Sequence, residues 1–294
     1  MRFNMFLHEC GIDPTEVAVA LHTPPERHLR RILGALVAEE PHLFQAYQSN
    51  HRRRPEATLK ARKYLVSFVS ADRKEMNFAG LFAIDGWSER TAAEFDADPH
   101  QLELQARFAT KSFAAQAIEE GRSSFAEFNL RPLPLMQDLR GRLVISHHPT
   151  RSYIRLAEKL DPQIVEIRRQ SELVPPPPDW KDFILTAQEL RTLPRNWGQK
   201  LSGWRGVYLI VDEKGGGQRY VGSAYGADNL LGRWRAHVAR EKGVTVELGQ
   251  RDPSGFRFSI LQLLLHDATP DEVFIVENDW KNRLHTRQWG LNSN

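Results

Sequence analysis

The chain has 294 residues, a formal net charge of +3 and 41% hydrophobic residues, with a sequence pI near 9.0 and a mean hydropathy of −0.50. This composition indicates a soluble globular protein of about two domains, since one domain takes roughly 100–200 residues. No apolar run reaches the ~18 residues of a membrane span, and the opening MRFNMFLHECG lacks the apolar core of a signal peptide. A single cysteine, Cys10, excludes an intramolecular disulfide and a multi-thiolate metal site. We therefore expect a cytoplasmic protein without membrane contact, whose mild basicity permits a nucleic-acid partner.

The first part of the chain is predicted to begin with helices and to continue as strands. Asp13-Pro14-Thr15-Glu16 is typical of a helix start, and a second helix is expected from Pro25 with apolar residues at helical spacing. RSYIRLAEKL favours a helix, and PQIVEIRR a strand or a short helix. Four stretches have the β-branched and aromatic residues typical of strands: KYLVSFVS, MNFAGLFAI, QLELQARF and GRLVIS. The expected fold class is α+β, with a helical N-terminus leading into a mostly antiparallel β sheet or barrel.

A proline-rich stretch, SELVPPPPDW, marks the predicted domain boundary. Its four consecutive prolines, Pro175 to Pro178, can continue neither a helix nor a central strand, and they favour a stiff spacer. We therefore expect a first domain over residues 1–172, a linker over 173–178 and a second domain over 179–294.

Basic residues cluster in the first domain, between residues 52 and 63. One interpretation is a solvated run of charges, and the other is a patch that contacts nucleic-acid phosphates. The cluster consists of Arg52, Arg53, Arg54, Lys60, Arg62 and Lys63.

The second domain opens with a predicted hairpin, GVYLIVDEKGGGQRYVGSA. Two strand-like runs flank a glycine-rich turn, and each run has a tyrosine near a glycine, Tyr208 and Tyr220. The two tyrosines are expected on adjacent antiparallel strands. On this evidence alone, they could be an ordinary cross-strand aromatic pair.

A predicted helix, ADNLLGRWRAHVARE, follows the hairpin. An apolar stripe through Trp234 is expected to be buried. Arg233 and His237 are four residues apart on another face, and Arg240 is expected to continue that face. Two groups that can both carry positive charge do not attract each other, so an anion held between them would explain the pair better than a solvated face does.

A second helix is predicted after the strand FRFSILQLLLH. Thr269-Pro270-Asp271-Glu272 is a capping box, and the helix is expected to end near Gly290. Glu277 falls on the apolar stripe with Val273, Trp280 and Leu284. A carboxylate there must be protonated, paired or bound to a cation. Lys281, four residues on, offers a salt bridge.

Five elements occur in order from about residue 200 to 294: GVY, YVG, an arginine followed four residues later by a histidine, a helical glutamate and a late asparagine. With these five elements, this part of the sequence resembles the GIY-YIG nuclease family. The resemblance implies a three-stranded antiparallel sheet flanked by helices and hydrolysis of DNA phosphodiesters with Mg²⁺ or Mn²⁺. It implies catalytic roles for six residues: Tyr208, Tyr220, Arg233, His237, Glu277 as the metal ligand, and Asn292, with Asn294 as an alternative to the last.

The chemistry of these residue types supports a mechanistic hypothesis. Arg233 would bind the charge that develops on the phosphate, and Glu277 would hold one hydrated Mg²⁺. Tyr208 and His237 would share the proton transfer, since a phenol with a pKa near 10 is a poor base alone. The hypothesis requires these groups to converge in one pocket, and a Glu277 carboxylate on the opposite side of the sheet would contradict it.

The sequence therefore predicts a DNA endonuclease, restriction or defence related. Its first domain either selects the target or is a scaffold or protein-interaction domain. Arg240 and Lys281 are further predicted nucleic-acid contacts. Two alternatives remain: a repair or mobile-element nuclease acting on structured or single-stranded DNA, and a nucleic-acid-binding protein that no longer cuts. One metal per site cuts one bond, so cleavage of both strands would take a homodimer or two sequential events.

Overall fold

The computed structural model describes residues 1–70, 75–146, 152–241 and 246–293. The chain divides into two compact units, Met1–Pro175 and Pro176–Asn294. The fold is α+β, and each unit contains one β sheet. In the described part of the chain, no helix combines the length and the apolar character needed to cross a membrane.

The first unit combines eight described helices with seven described strands. The helices are α1 (Phe3–Glu9), α2 (Arg27–Glu39), α3 (Pro41–Gln48), α4 (Arg53–Lys60), α5 (Ala92–Asp96), α6 (Pro99–Phe108), α7 (Phe113–Glu120) and α8 (Ala157–Leu160). The strands are β1 (Val17–His22), β2 (Tyr64–Val69), β3 (Glu75–Thr91), β4 (Ser124–Pro132), β5 (Leu143–Ser146), β6 (Ile154–Leu156) and β7 (Ile164–Ile167).

These strands form a mixed sheet in the order β6-β1-β2-β3-β5-β7, and β4 also pairs with β3. Strands β1 and β2 are parallel, whereas the other described pairs are antiparallel. The long strand β3 passes two register shifts, near Gly80 and Gly86, whose φ angles of 153° and 116° suit glycine. The expectation of a mostly antiparallel sheet thus holds with one parallel exception.

Strand β1 replaces the helix that was expected to start at Asp13. Pro14–Glu16 forms a single 3₁₀ turn capped by Asp13, and the chain then enters the strand. All six β1 residues are buried, with Ala18 and Ala20 in one core and Val17 and Val19 in another. A strand buried on both faces has no polar alternation to reveal it, so this prediction was wrong.

Two other segments of the first unit also differ from expectation. QLELQARF lies in helix α6, which Asp98 caps through the backbone N–H groups of His100 and Gln101. RSYIRLAEKL contains strand β6 before the short helix α8, in place of one continuous helix. In both cases the local alternation of apolar residues is compatible with either structure, and packing decides.

The second unit has a four-stranded sheet surrounded by helices. Its strands are β8 (Ile184–Thr186), β9 (Arg205–Asp212), β10 (Gln218–Ala224) and β11 (Phe256–Leu264). Its described helices are α9 (Ala187–Arg191), α10 (Arg195–Gly203), α11 (Asn229–Ala239), α12 (Val246–Gly249), α13 (Pro270–Arg283) and α14 (Thr286–Trp289). The sheet is antiparallel in the order β10-β9-β11-β8. It has one strand more than the three expected, because the three residues of β8 pair with β11.

Helices cover the two faces of this sheet differently. Trp234 of α11 packs with Tyr208 and Phe258 on one face. Helix α13 lies on the other face, where Trp280 Nε1 donates to Gln262 Oε1 at 3.0 Å. Gln262 pairs with Val207, the residue before Tyr208, so its side chain points away from the Tyr208 face. The predicted capping box of α13 is confirmed, although the helix ends at Arg283 and a separate α14 follows.

Candidate active site

The two tyrosines of the hairpin lie on one face of the sheet, on adjacent antiparallel strands as expected. Tyr208 on β9 pairs with Gly222, and Tyr220 on β10 pairs with Ile210. Paired residues share a face of a sheet, so the two side chains are diagonal neighbours. Tyr208 is fully buried, and Tyr220 is 5% exposed.

Gly222 makes the close approach of the tyrosines possible. A Cβ atom at this position would lie 2.5 Å from the Tyr208 hydroxyl oxygen and 2.8 Å from a ring carbon of Tyr220. The Tyr208 ring therefore crosses β10 where that strand has no side chain. The sequence pattern includes this glycine, but only the structure explains why it is needed.

Helix α11 adds a guanidinium and an imidazole to the tyrosines. His237 is 1% exposed, and its Nε2 lies 2.7 Å from the Tyr208 hydroxyl. Arg233 hydrogen-bonds the hydroxyls of both Tyr208 and Tyr220. Arg240 was expected to continue this face, but it does not. It ends the helix with a left-handed backbone conformation, and its side chain donates to the Arg251 carbonyl.

The protonation states follow from burial. Burial raises the pKa of Tyr208 above its ordinary value, and the charge of Tyr220 adds to this, while Arg233 opposes it. Burial, with the positive charge of Arg233, lowers the pKa of His237 to about 3. At neutral pH the phenol is therefore protonated and the imidazole neutral. If Arg233 donates to the Tyr208 oxygen, the Tyr208 proton is directed at His237 Nε2.

Glu277 reaches this region from α13, on the other face of the sheet. Its Oε1 lies 2.8 Å from Lys281 Nζ, and its Oε2 accepts a hydrogen bond from the Ser223 hydroxyl. Ser223 pairs with Val207 and so points away from the Tyr208 face. Glu277 and Arg233 therefore approach β10 from helices on different faces of the sheet, and the convergence of all these groups in one pocket stays a prediction; β10 pairs only with β9 among the described strands.

The two sides are nevertheless electrostatically connected. The negative charge of Glu277 contributes to the raised pKa of Tyr208. Gly222 and Ser223 of β10 lie between the two sides, and Gly222 has no side chain there. Ser223 was not identified from the sequence, although it follows the YVG stretch directly and its alternation with Gly222 places it on the face of α13.

Asn292 holds the edge of the sheet. Its Oδ1 accepts from the Val221 N–H at 2.9 Å, and its Nδ2 donates to the Val221 carbonyl at 2.8 Å. The side chain thus mimics a neighbouring strand, and it positions β10 without contacting the tyrosine hydroxyls in any described hydrogen bond. Asn294, the alternative, lies outside the described residues.

Four of the six residues of the basic cluster in the first unit pair with carboxylates. Arg53 and Arg54 are exposed. The other four have acidic partners: Arg52 with Glu120 at 3.9 Å, Lys60 with Glu56 at 2.9 Å, Arg62 with Glu158 at 3.0 Å and Lys63 with Glu16 at 2.5 Å. Lys281 is 2% exposed and cannot contact nucleic acid from the surface, contrary to expectation.

The donor set limits the metal that this site can hold. Within residues 1–70, 75–146, 152–241 and 246–293, no three histidine, cysteine, aspartate or glutamate side chains are grouped to hold an ion. Glu277 offers one carboxylate, which fits a mostly hydrated Mg²⁺ or Mn²⁺ and does not fit a tetrahedral zinc site.

A second concave region lies in the first unit and was not predicted. A cavity of about 580 Å³ is lined by polar and aromatic side chains, including His42, Asp85, Trp87, His100 and Glu127. Asp85 is paired with Arg131 at 2.6 Å, and Glu127 with Arg90 at 2.9 Å.

The fold and the site define an α+β protein of two units, with a buried Tyr–Arg–His cluster in the second. No protein-family model matches the chain, and a search of curated proteins also finds no match. The catalytic domain of intron endonuclease I-TevI is 26% identical over 31% of this chain and 94% of its own, with a TM-score of 0.27. ZmASCH from Zymomonas mobilis is 14% identical over 51% of this chain and 96% of its own, with a TM-score of 0.26. These TM-scores are too low to assign the fold of either unit.

Proposed function

We propose that residues 179–294 form a metal-dependent DNA endonuclease that hydrolyses phosphodiester bonds. The observation that carries the proposal is the buried cluster in which Arg233 hydrogen-bonds two phenols and Tyr208 contacts a neutral His237. A cross-strand aromatic pair needs neither the guanidinium nor the imidazole. The order of residues that resembles the GIY-YIG nucleases supports the same reading.

Each side chain has a distinct task in this reaction. Arg233 offers a planar fork of donors to the phosphate oxygens, where negative charge grows during attack by water. Tyr208 would take the proton of the attacking water as its own proton passes to His237 Nε2, so the phenol never has to carry full negative charge. The lowered pKa of His237, about 3, makes it a weak acceptor until the negative phosphate offsets the positive charge of Arg233. The raised pKa of Tyr208 makes this transfer to His237 necessary. Tyr220, held by Arg233, orients the water or the phosphate.

Glu277 would hold Mg²⁺ or Mn²⁺, which supplies Lewis-acid stabilisation of the leaving oxygen when bound. Ser223 and Lys281 orient the carboxylate from either side. Asn292 and Gly222 keep β10 in place between the two halves of the site.

The first unit is proposed to select the DNA target, in a restriction or defence setting. Arg52, Arg53, Arg54 and Lys63 are exposed and accessible to phosphates, although Arg52 also pairs with Glu120 and Lys63 with Glu16. One site hydrolyses one bond, so a homodimer would cut both strands together. A repair or mobile-element nuclease would use the same site on structured or single-stranded DNA.

A binding protein that does not cut is the second candidate. The observation favouring it is that both Glu277 oxygens already accept hydrogen bonds from protein donors. Such a protein would use Arg233 to hold a phosphate and would leave the bond intact.

Incubation with DNA separates these functions. Supercoiled plasmid, methylated and unmethylated genomic DNA, and single strands are each mixed with the full chain, with Mg²⁺, Mn²⁺ or chelator. Nicking or cutting only with metal supports the nuclease, and the substrate preference separates its settings. Retention of DNA without cleavage under every condition would overturn the nuclease in favour of the binding protein.

A further inference from the structure

Lys281 is the most buried charged side chain near the site, at 2% exposure. Its ammonium lies 2.8 Å from Glu277 Oε1, one helical turn earlier on α13. A buried ammonium is costly unless a carboxylate compensates it. The Lys281–Glu277 pair is therefore expected to stay formed in the folded second unit, unlike an exposed surface salt bridge.

A metal ion that binds Glu277 must share this carboxylate with Lys281. The second oxygen accepts from Ser223, so no oxygen is left to the metal alone. A divalent cation and an ammonium on the same carboxylate repel each other, and burial makes that repulsion stronger than it would be in water.

The charges around the site favour an anion before a cation. Arg233 and Lys281 are positive and Glu277 is negative, while Tyr208 is protonated and His237 neutral at pH 7. These five side chains together thus carry a net positive charge before any ligand binds. A phosphodiester neutralises it, whereas a divalent ion adds to it.

We propose that Lys281 is a built-in counter-cation of Glu277 that keeps the metal affinity of the free protein low, so that the site binds the DNA phosphate first and the metal second. This inference rests on the proposed function and adds the order of binding. Because coupling between two ligands is reciprocal, bound DNA then tightens metal binding by the same factor as metal tightens DNA binding.

The test measures binding rather than cleavage, with the full chain. Free Mn²⁺ is counted by electron paramagnetic resonance, and binding to a short phosphorothioate duplex is followed by fluorescence anisotropy in chelator. The wild type is expected to bind the duplex without metal, and to bind Mn²⁺ about tenfold or more tightly once the duplex is present. Equal Mn²⁺ affinity with and without the duplex would overturn the proposal.

Lys281→Met keeps the length of the side chain and removes the charge. It is expected to tighten Mn²⁺ binding without DNA about tenfold and to reduce the effect of the duplex. Arg283→Met is the matched control, since Arg283 pairs with Asp279 at 2.8 Å on the same helix but in solvent; its Mn²⁺ affinity should equal that of the wild type. Unchanged or weaker Mn²⁺ binding in a folded Lys281→Met protein would show that Lys281 only supports Glu277, and would contradict the proposal.

Glu277→Gln distinguishes failure of the inference from failure of the function. Loss of Mn²⁺ binding in this variant places the metal at Glu277 whatever Lys281 does. Unchanged Mn²⁺ binding would instead remove the metal assignment on which the proposed function depends. If Lys281→Met does not fold, duplex binding by the wild type in chelator still tests whether DNA binds before the metal, and no duplex binding without metal would overturn the proposal.

Discussion

Each unit of the molecule contains a buried histidine hydrogen-bonded to a tyrosine. In the first unit, His51 Nδ1 lies 2.8 Å from the Tyr153 hydroxyl; in the second, His237 Nε2 lies 2.7 Å from that of Tyr208. Burial lowers the pKa of both histidines to about 3 and raises the pKa of both tyrosines. The two pairs are thus chemically alike when taken alone.

Their charged neighbours differ. Near Tyr153, Arg122 is bound to Glu56 at 2.7 Å and to Glu120 at 3.1 Å. Near Tyr208, Arg233 hydrogen-bonds the phenols themselves, and the carboxylate whose charge acts on Tyr208, Glu277, is paired with Lys281. A buried His–Tyr pair is therefore weak evidence for catalysis, and the partner of the adjacent arginine is the informative feature.

The largest expected effect on the cleavage rate comes from removing either member of the Tyr208–His237 pair. Tyr208→Phe and His237→Ala should each slow DNA cleavage about 10²–10⁴-fold, because each interrupts proton transfer. Tyr153→Phe and His51→Ala should leave the cleavage rate of folded protein nearly unchanged. Rates are measured under single-turnover conditions, with thermal melts to confirm folding. Full rates in both second-unit variants would end the assignment of proton transfer to this pair.

Removing the neighbouring arginines should separate chemistry from stability. Arg233→Ala should lower the cleavage rate about 10²–10³-fold, since it deletes the donors to the phosphate. Arg122→Ala should instead destabilise the first unit by about 1–3 kcal/mol, since it removes a charged hydrogen bond from the buried Glu56 and leaves that carboxylate only Lys60 as a cationic partner. Urea unfolding and cleavage assays on both variants give the two readouts. The comparison fails if Arg122→Ala slows the chemical step as much as Arg233→Ala does.

Acid should destabilise the first unit more steeply than the second. His22 and His51 have pKa values lowered to about 4 and about 3 in the first unit, and His237 to about 3 in the second. Below pH 6.5, the histidine pKa of the unfolded chain, the unfolded chain binds protons that these histidines do not bind in the folded chain. The stability present above pH 6.5 is therefore lost as the pH falls towards 3–4. Each histidine contributes about 1.4 kcal/mol per pH unit within that window.

Tryptophan fluorescence can follow the second unit separately. Trp87 is the only one of the seven tryptophans before residue 176, so Trp87→Phe leaves a signal from the second unit, while circular dichroism reports both. Urea unfolding between pH 6.5 and 5 should show about twice the slope for the first unit. A His51→Gln variant with the wild-type slope would contradict this explanation.

The smallest effect concerns packing around the second pair. Gly222→Ala should destabilise the second unit by about 1–3 kcal/mol, because its Cβ would lie 2.5 Å from the Tyr208 hydroxyl. Gly226→Ala is the control, since nothing lies within 4 Å of a Cβ there. Chemical denaturation checks both, and equal stability of the two variants would show that the close approach is not constraining.

Much of the local structure near the site could be predicted from the sequence. Alternation around Tyr208 and Tyr220 indicated the two strands, and the helical spacing of Arg233 and His237 placed them together. The start of helix α13 at the Thr269 capping box was also predicted correctly, unlike the helix start expected at Asp13. These features depend on residues within one or two turns of each other, where spacing alone fixes direction.

Tertiary packing overruled local pattern elsewhere. Strand β1 has a continuous apolar run because it is buried on both faces, and β8 is too short to be recognised without β11 beside it. QLELQARF follows an Asp–Pro helix start, yet its alternation suggested a strand. Short segments of this kind are decided by what they pack against.

The sequence alone determined which reactive groups the second unit has and which of them share a strand or a helix face, because those relations follow from backbone geometry. Only the tertiary structure decided that α11 and α13 lie on opposite faces of the sheet, that Lys281 is buried against Glu277, and that four of the six basic residues between 52 and 63 pair with acids. The reason is physical: electrostatic partnership depends on distance in space and on burial, and neither is encoded in the spacing of residues along the chain.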